Sequence, residues 1–162
     1  MISAALENLW RMSYDSATID VLRNSKYAIP LIQSFHLFGI TLLLGGVVIL
    51  NLRLLGFGFG EVSMATLASQ VWRWALGGLI LAVATGFLVF VPDPARYAAN
   101  YAFRTKMIAL CCAVAFHIFV FRSVIRSKEA ESKSVRNTMV ACCSLLLWFL
   151  VGWAGRAIAF LG

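Results

Sequence analysis

The chain has only two imidazole side chains, His36 and His117, and both lie inside long apolar runs. A polar side chain in the hydrocarbon core of a membrane is costly, so both are candidates for function. His36 follows Lys26 by ten residues, and His117 follows Lys106 by eleven. If the two runs are helices with the same direction, both rings lie about 15–17 Å below the same membrane face. The spacing therefore predicts two axial ligands, and a metal site, for one haem b held between them.

Four further residues are candidates for the same cofactor site. Gln33 lies one helical turn before His36 and can hydrogen-bond a ligand or substrate. Arg156 lies about 9 Å below the same face, where a guanidinium pairs well with a haem propionate. Lys106 is a second candidate for that pairing, and Gly39 offers a small surface on which a large ring can lie.

Other interpretations of these residues stay open. The histidines can form hydrogen bonds between helices, bind copper or carry protons. In the copper interpretation, Met107 or Cys112 would join His36 as a soft ligand. Arg156 can also simply extend its side chain to the membrane interface.

The cysteines form two adjacent pairs, Cys111-Cys112 and Cys142-Cys143. In an up-down bundle the two pairs differ in depth by about 10–15 Å. Neighbouring residues on a helix also point in different directions, so neither pair chelates well. We therefore predict that the cysteines are small packing residues and not a metal cluster.

The composition defines the elements that must position these residues. Hydrophobic residues make up 61% of the 162 residues and charged residues 13%, whereas a soluble domain averages about 45–50% and about 25%. This excludes an ordinary soluble fold and intrinsic disorder. The apolar runs do not alternate in polarity, as the strands of a membrane barrel do.

The predicted fold is an all-α membrane protein, a four-transmembrane-helix up-down bundle preceded by an N-terminal amphipathic interfacial segment. Residues 1–25 form that segment, because apolar residues recur there at helical spacing. Residues 26–162 form the transmembrane domain, with spans at about 27–51, 73–92, 104–123 and 137–161. A short interfacial helix is expected between the second and third spans.

The net charge of +7 does not indicate nucleic-acid binding, because the basic residues lie mostly between the apolar runs. They are better explained by topology and by anionic lipid head groups. Each membrane face carries seven Lys and Arg, but five are concentrated in the short stretch Arg122–Arg136. We therefore expect that stretch in the cytoplasm and both termini in the periplasm.

Two segments carry a resemblance to a known family. The segment YAIPLIQSFHLFGITLLLGGVVILNLRLLGFG, from Tyr27, and the segment GWAGRAIAF, Gly152–Phe160, resemble the first and last spans of an uncharacterised family of small bacterial four-helix inner-membrane proteins. The His-x-x-Gly pattern at His36 is distantly similar to CopD-like copper-resistance domains. The helix count is similar to that of cytochrome b561-like proteins, which hold two haems with four histidines. Two histidines support at most one such haem here.

These observations favour a b-type haem protein, or a haem-bearing subunit, that transfers electrons within the membrane. Quinone is an expected partner, and a homo-oligomer or a larger membrane complex is the expected assembly. The alternatives are a CopD-like copper-handling or transport module and an accessory subunit without a cofactor. The chain shows no catalytic triad, phosphate loop or carboxylate dyad, so we expect an electron-transfer subunit of an oxidoreductase and not an independent enzyme.

The topology is tested by reporter fusions at Lys128 and at the C-terminus. The charge density of Arg122–Arg136 predicts a cytoplasmic signal at Lys128 and a periplasmic signal at the C-terminus. A periplasmic signal from the Lys128 fusion would overturn this orientation.

Overall fold

A computed structural model describes residues 25–58, 62–127 and 134–161, and these form five helices. The helices are α1 (Ala28–Leu54), α2 (Met64–Phe90), α3 (Pro94–Ala99), α4 (Tyr101–Ile125) and α5 (Val135–Leu161). No strand occurs in these ranges. The predicted N-terminal interfacial segment lies outside the described residues.

Four of the helices, α1, α2, α4 and α5, are long and apolar enough to cross a membrane. Many of their large apolar side chains are exposed on the outside of the bundle, including Trp74 and Phe119. In water such a surface would be unfavourable, whereas hydrocarbon chains can cover it. The prediction of an all-α, multi-pass membrane bundle is confirmed.

The second helix extends nine residues beyond the predicted span toward its N-terminus. The sequence-based boundary followed the charge of Arg73, but the helix begins at Met64. Ser63 caps it, because its hydroxyl accepts a hydrogen bond from the Thr66 amide at 3.2 Å. A serine or threonine N-cap supplies a partner to one of the unpaired amides of the first turn, and this local signal outweighs one charged residue.

The α1–α2 pair packs along most of its length, and it approaches most closely at two glycines. A Cβ at Gly39 would lie 2.9 Å from the carbonyl oxygen of Gly78, and one at Gly78 would lie 2.6 Å from the carbonyl oxygen of Gly39. No side chain fits in either place. This backbone contact fixes the register of the two antiparallel helices and sets which residues face each other along them.

The bundle has two ends, which we name by their residues. The Tyr27 end is where α1 and α4 begin and α2 ends; the Leu54 end is where α1 and α4 end and α2 begins. An apolar core near the Leu54 end includes Leu50, Met64 and Phe121. Asn51 crosses from α1 to α5 there, donating a hydrogen bond to the Ser144 hydroxyl at 3.1 Å.

A π-helical turn, His117–Phe121, interrupts α4. The Arg122 amide hydrogen-bonds the carbonyl of His117, five residues earlier, instead of the carbonyl four residues earlier. A π turn adds one residue to the helix, so it changes the direction of every side chain that follows. Residues after Phe121 therefore face differently from what a continuous α-helix would give.

The backbone contact is tested with neighbouring glycines. Gly78→Ala should lower the free energy of unfolding by about 1–3 kcal/mol, because the new methyl group overlaps the α1 backbone. The matched control is Gly77→Ala, since a Cβ at Gly77 has nothing within 4 Å. The control should be neutral or more stable by up to about 1 kcal/mol. Thermal unfolding in detergent, followed by circular dichroism, measures both; equal stability of the two variants would contradict the contact.

Candidate functional site

His36 lies in α1, two turns after its start, and faces the last part of α2. Its Nδ1 is 3.0 Å from the hydroxyl oxygen of Thr85. The ring passes beside Gly86, where a Cβ would lie 3.2 Å from the imidazole Cε1. The register set by the Gly39–Gly78 contact brings these residues together, although 49 positions separate His36 from Thr85 in the sequence.

The hydrogen bonds of Thr85 determine the tautomer of His36. A hydroxyl has one hydrogen, and Thr85 donates it within α2, to the carbonyl of Leu81 at 2.6 Å. Toward His36 the hydroxyl oxygen therefore accepts, and Nδ1 of the imidazole carries the hydrogen. In the neutral ring Nε2 then keeps the lone pair. Histidines that bind metals are held in this way, with one nitrogen donating to a fixed partner and the other left for the metal.

Two cationic residues lie with His36 at the Tyr27 end, and one of them is close to the imidazole. Lys106 of α4 is within electrostatic range of the imidazole. Its side chain runs along α5, so that a Cβ at Gly155 would lie 3.6 Å from Nζ. Arg156 follows directly in α5; it is exposed, and its guanidinium carbon is 5.1 Å from the centre of the Phe160 ring. The site therefore joins an imidazole with the positive charge of Lys106 from α4, and the charge of Arg156 lies at the same end of the bundle.

His117 lies elsewhere, in a stack of aromatic rings. Its imidazole is nearly parallel to Trp72 of α2, with ring centres 5.9 Å apart, and to Phe121, with centres 4.5 Å apart. Only 8% of the residue is exposed. Its Nδ1 is buried and has no hydrogen-bond partner among the described residues.

The two histidines are not at the same depth, contrary to the expectation from sequence. His36 contacts Thr85 and His117 stacks on Trp72, and these two α2 residues are thirteen positions apart, or about 20 Å along the helix. The predicted depth of His117 is counted from Lys106, but α4 begins five residues earlier, at Tyr101. Two nitrogens that ligate one iron must lie on opposite sides of the same atom, and this arrangement does not place them there.

The remaining predicted site residues are also separated. Gln33 is exposed on α1, one turn before His36. Gly39 is buried in the contact with α2, so a cofactor cannot lie on it. Surfaces free of other side chains occur instead at Gly45, Gly77 and Gly152, where an added Cβ would meet nothing within 4 Å.

The cysteines and Met107 do not join His36. All four thiols are exposed, and 42% of Met107 is exposed as well. Within the described ranges, no three His, Cys, Asp or Glu side chains come close enough to hold a metal ion. Among the described residues, no set of copper ligands is therefore assembled around His36.

Sequence reasoning missed Thr85 and Trp72, the residues that orient the two histidines. Thr85 carried a usable signal, because it is a polar residue within an apolar span. Trp72 carried none, since aromatic residues are common in every span. That Thr85 contacts His36 and that Trp72 contacts His117 follows only from the register of the helices.

The role of Thr85 is tested by Thr85→Val, which removes the hydroxyl at nearly constant shape. We expect the wild-type imidazole of His36 to show a single tautomer, protonated at Nδ1, by nitrogen NMR of ring-labelled protein. The variant should lose this preference and about 0.6–2 kcal/mol of helix association. Thr41→Val is the control, because Thr41 donates to the Leu37 carbonyl in the same manner without contacting the ring. A wild-type His36 protonated at Nε2 would contradict the assignment.

The chain matches the model of one protein family, described as a "Family of unknown function (DUF6644)", over residues 19–161. No curated protein and no solved structure matches it. The resemblance to an uncharacterised family is thereby confirmed, whereas CopD-like and cytochrome b561-like relationships stay predictions. Because the match covers most of the sequence, the chain belongs to the family of unknown function DUF6644.

Proposed function

We propose that the protein is a membrane-embedded b-type haem subunit in which His36 is the axial ligand. The observation that supports this is the hydrogen-bond chain from His36 through Thr85 to Leu81. It holds the imidazole in one orientation and reserves the lone pair of Nε2. The same hydrogen bond joins α1 to α2, and it is the remaining nitrogen, Nε2, that this proposal assigns to iron.

The positive charges at the Tyr27 end of the bundle suit the two propionates of a haem. Haem b carries two propionates, and a low-dielectric environment favours their pairing with cations. Lys106 and Arg156 come from α4 and α5 and lie at the same end of the bundle as His36. Their arrangement suits an elongated ligand with an apolar body and an anionic edge.

In this proposal His117 is not a ligand but packs between Trp72 and Phe121. The haem would supply one-electron chemistry when bound. In this proposal Thr85 orients the ligand nitrogen of His36. Lys106 and Arg156 neutralise the propionates. Electron transfer with a membrane quinone and a partner protein is the proposed role, in a bacterial inner membrane with both termini periplasmic.

The ligand assignment is tested by haem content and visible spectrum of the purified, full-length protein. We expect about one haem per chain in the wild type and at least about tenfold less in His36→Ala. His117→Phe is the matched comparison, because it keeps an aromatic ring between Trp72 and Phe121. It should retain haem with an unchanged spectrum. Lys106→Gln and Arg156→Gln should retain haem with a shifted reduction potential, since they tune the site without ligating iron.

Each alternative gives a different result in the same experiment. Loss of haem in His117→Phe, with the helical content intact, would restore the paired-histidine interpretation and contradict ligation by His36 alone. Copper in place of iron in the wild type would support the copper-handling alternative. A wild type without metal, purified after expression with ample haem, would refute the haem proposal and leave the accessory-subunit alternative.

A further inference from the structure

A second site lies at the Leu54 end of the bundle, on the last two turns of α4 and the two residues that follow it. An open pocket of about 470 Å³ is lined by both apolar and polar side chains, namely Ile118, Phe119, Arg122, Ser123, Arg126 and Ser127. None of these residues takes part in the haem proposal. The pocket therefore requires its own explanation.

The polar side of the pocket is strongly cationic. Arg122 and Arg126 supply two guanidinium groups, which form paired hydrogen bonds to phosphate oxygens more readily than lysines do. In the described parts of the chain the only carboxylate is that of Asp93, beyond the opposite end of α2. The whole stretch Arg122–Arg136 contains five basic and two acidic residues, so it stays cationic even with every acid ionised.

Neighbouring contacts hold the pocket in shape. The guanidinium of Arg122 lies 5.1 Å from the centre of the Trp72 ring, in cation–π geometry. Ser127 donates to the Val124 carbonyl at 2.8 Å and accepts a hydrogen bond from Arg136 of α5 at 3.1 Å. Arg122 directly follows the π turn, and its backbone amide donates a hydrogen bond to the His117 carbonyl. The Arg122 guanidinium is thus held against Trp72, whereas Arg126 is exposed beside it.

The apolar side of the pocket points to a lipid. Ile118 and Phe119 lie one turn deeper in the span than Arg122, and they are 45% and 76% exposed. A phospholipid has the complementary order, with a phosphate at the interface and acyl chains below it. Juxtamembrane basic groups attract anionic lipids at about the depth of these arginines.

We propose that this pocket binds one phosphate-bearing anionic phospholipid, with its phosphate at Arg122 and Arg126 and an acyl chain along Phe119. The site combines the two arginines, the two serines and the apolar side chains, which line one open pocket. This distinguishes it from general attraction of the positive face to negative membranes.

The proposal is tested by native mass spectrometry of the full-length protein released from detergent micelles. We expect one phosphatidylglycerol to stay bound and phosphatidylcholine to be lost. Arg126→Gln should reduce retention of phosphatidylglycerol about fivefold. Arg73→Gln is the matched control, because Arg73 is exposed and outside the pocket but carries the same charge. Its retention should equal that of the wild type.

Two arms separate a lipid from a free phosphate. Phe119→Ser should also reduce retention, because it removes the apolar wall, whereas inorganic phosphate at millimolar concentration should not displace the lipid. Displacement by phosphate together with full retention in Phe119→Ser would overturn the lipid assignment. Equal losses in Arg126→Gln and Arg73→Gln would overturn the pocket itself and leave only a diffuse surface potential.

Discussion

The contact between the α1 and α2 backbones at Gly39 and Gly78 determines the geometry of the functional end of the molecule. Because a methyl group at either position would overlap the opposite backbone, the two helices can pack closely in one register only. That register places His36 opposite Thr85 and Trp72 level with the later part of α4. A shift by one residue would separate the imidazole from the hydroxyl that orients it.

The fold could be predicted from the sequence because its strongest signals are local. Apolar runs of membrane length and the polar residues between them indicate four helices without any knowledge of packing. The site was predictable only in part, since a polar residue in a span is conspicuous but its partner is not. His36 was identified in this way, but its partner Thr85 lies on another helix and depends on the register.

The depth of His117 was mispredicted for a related reason. Charged residues mark where a span meets the interface, but a lysine has a long apolar stem and can begin inside the membrane. Lys106 lies in the second turn of α4, beside α5, so counting from it places His117 too close to the surface. The π turn that begins at His117 does not change this depth, but it redirects the side chains after Phe121, and no residue pattern in the sequence signals it.

The scarcity of carboxylates has a consequence for the energetics of the whole bundle. Fourteen Lys and Arg side chains stand against seven Asp and Glu in the whole chain, which gives a net charge of +7. The counter-charges for that excess must come from the surroundings. By thermodynamic linkage, any anion that binds the folded chain in preference to the unfolded chain adds to the free energy of unfolding, and the addition grows with the logarithm of its concentration. The stability of this protein is therefore a joint property of the sequence and of the membrane around it. A free energy of unfolding measured in neutral detergent does not equal the value in an anionic membrane.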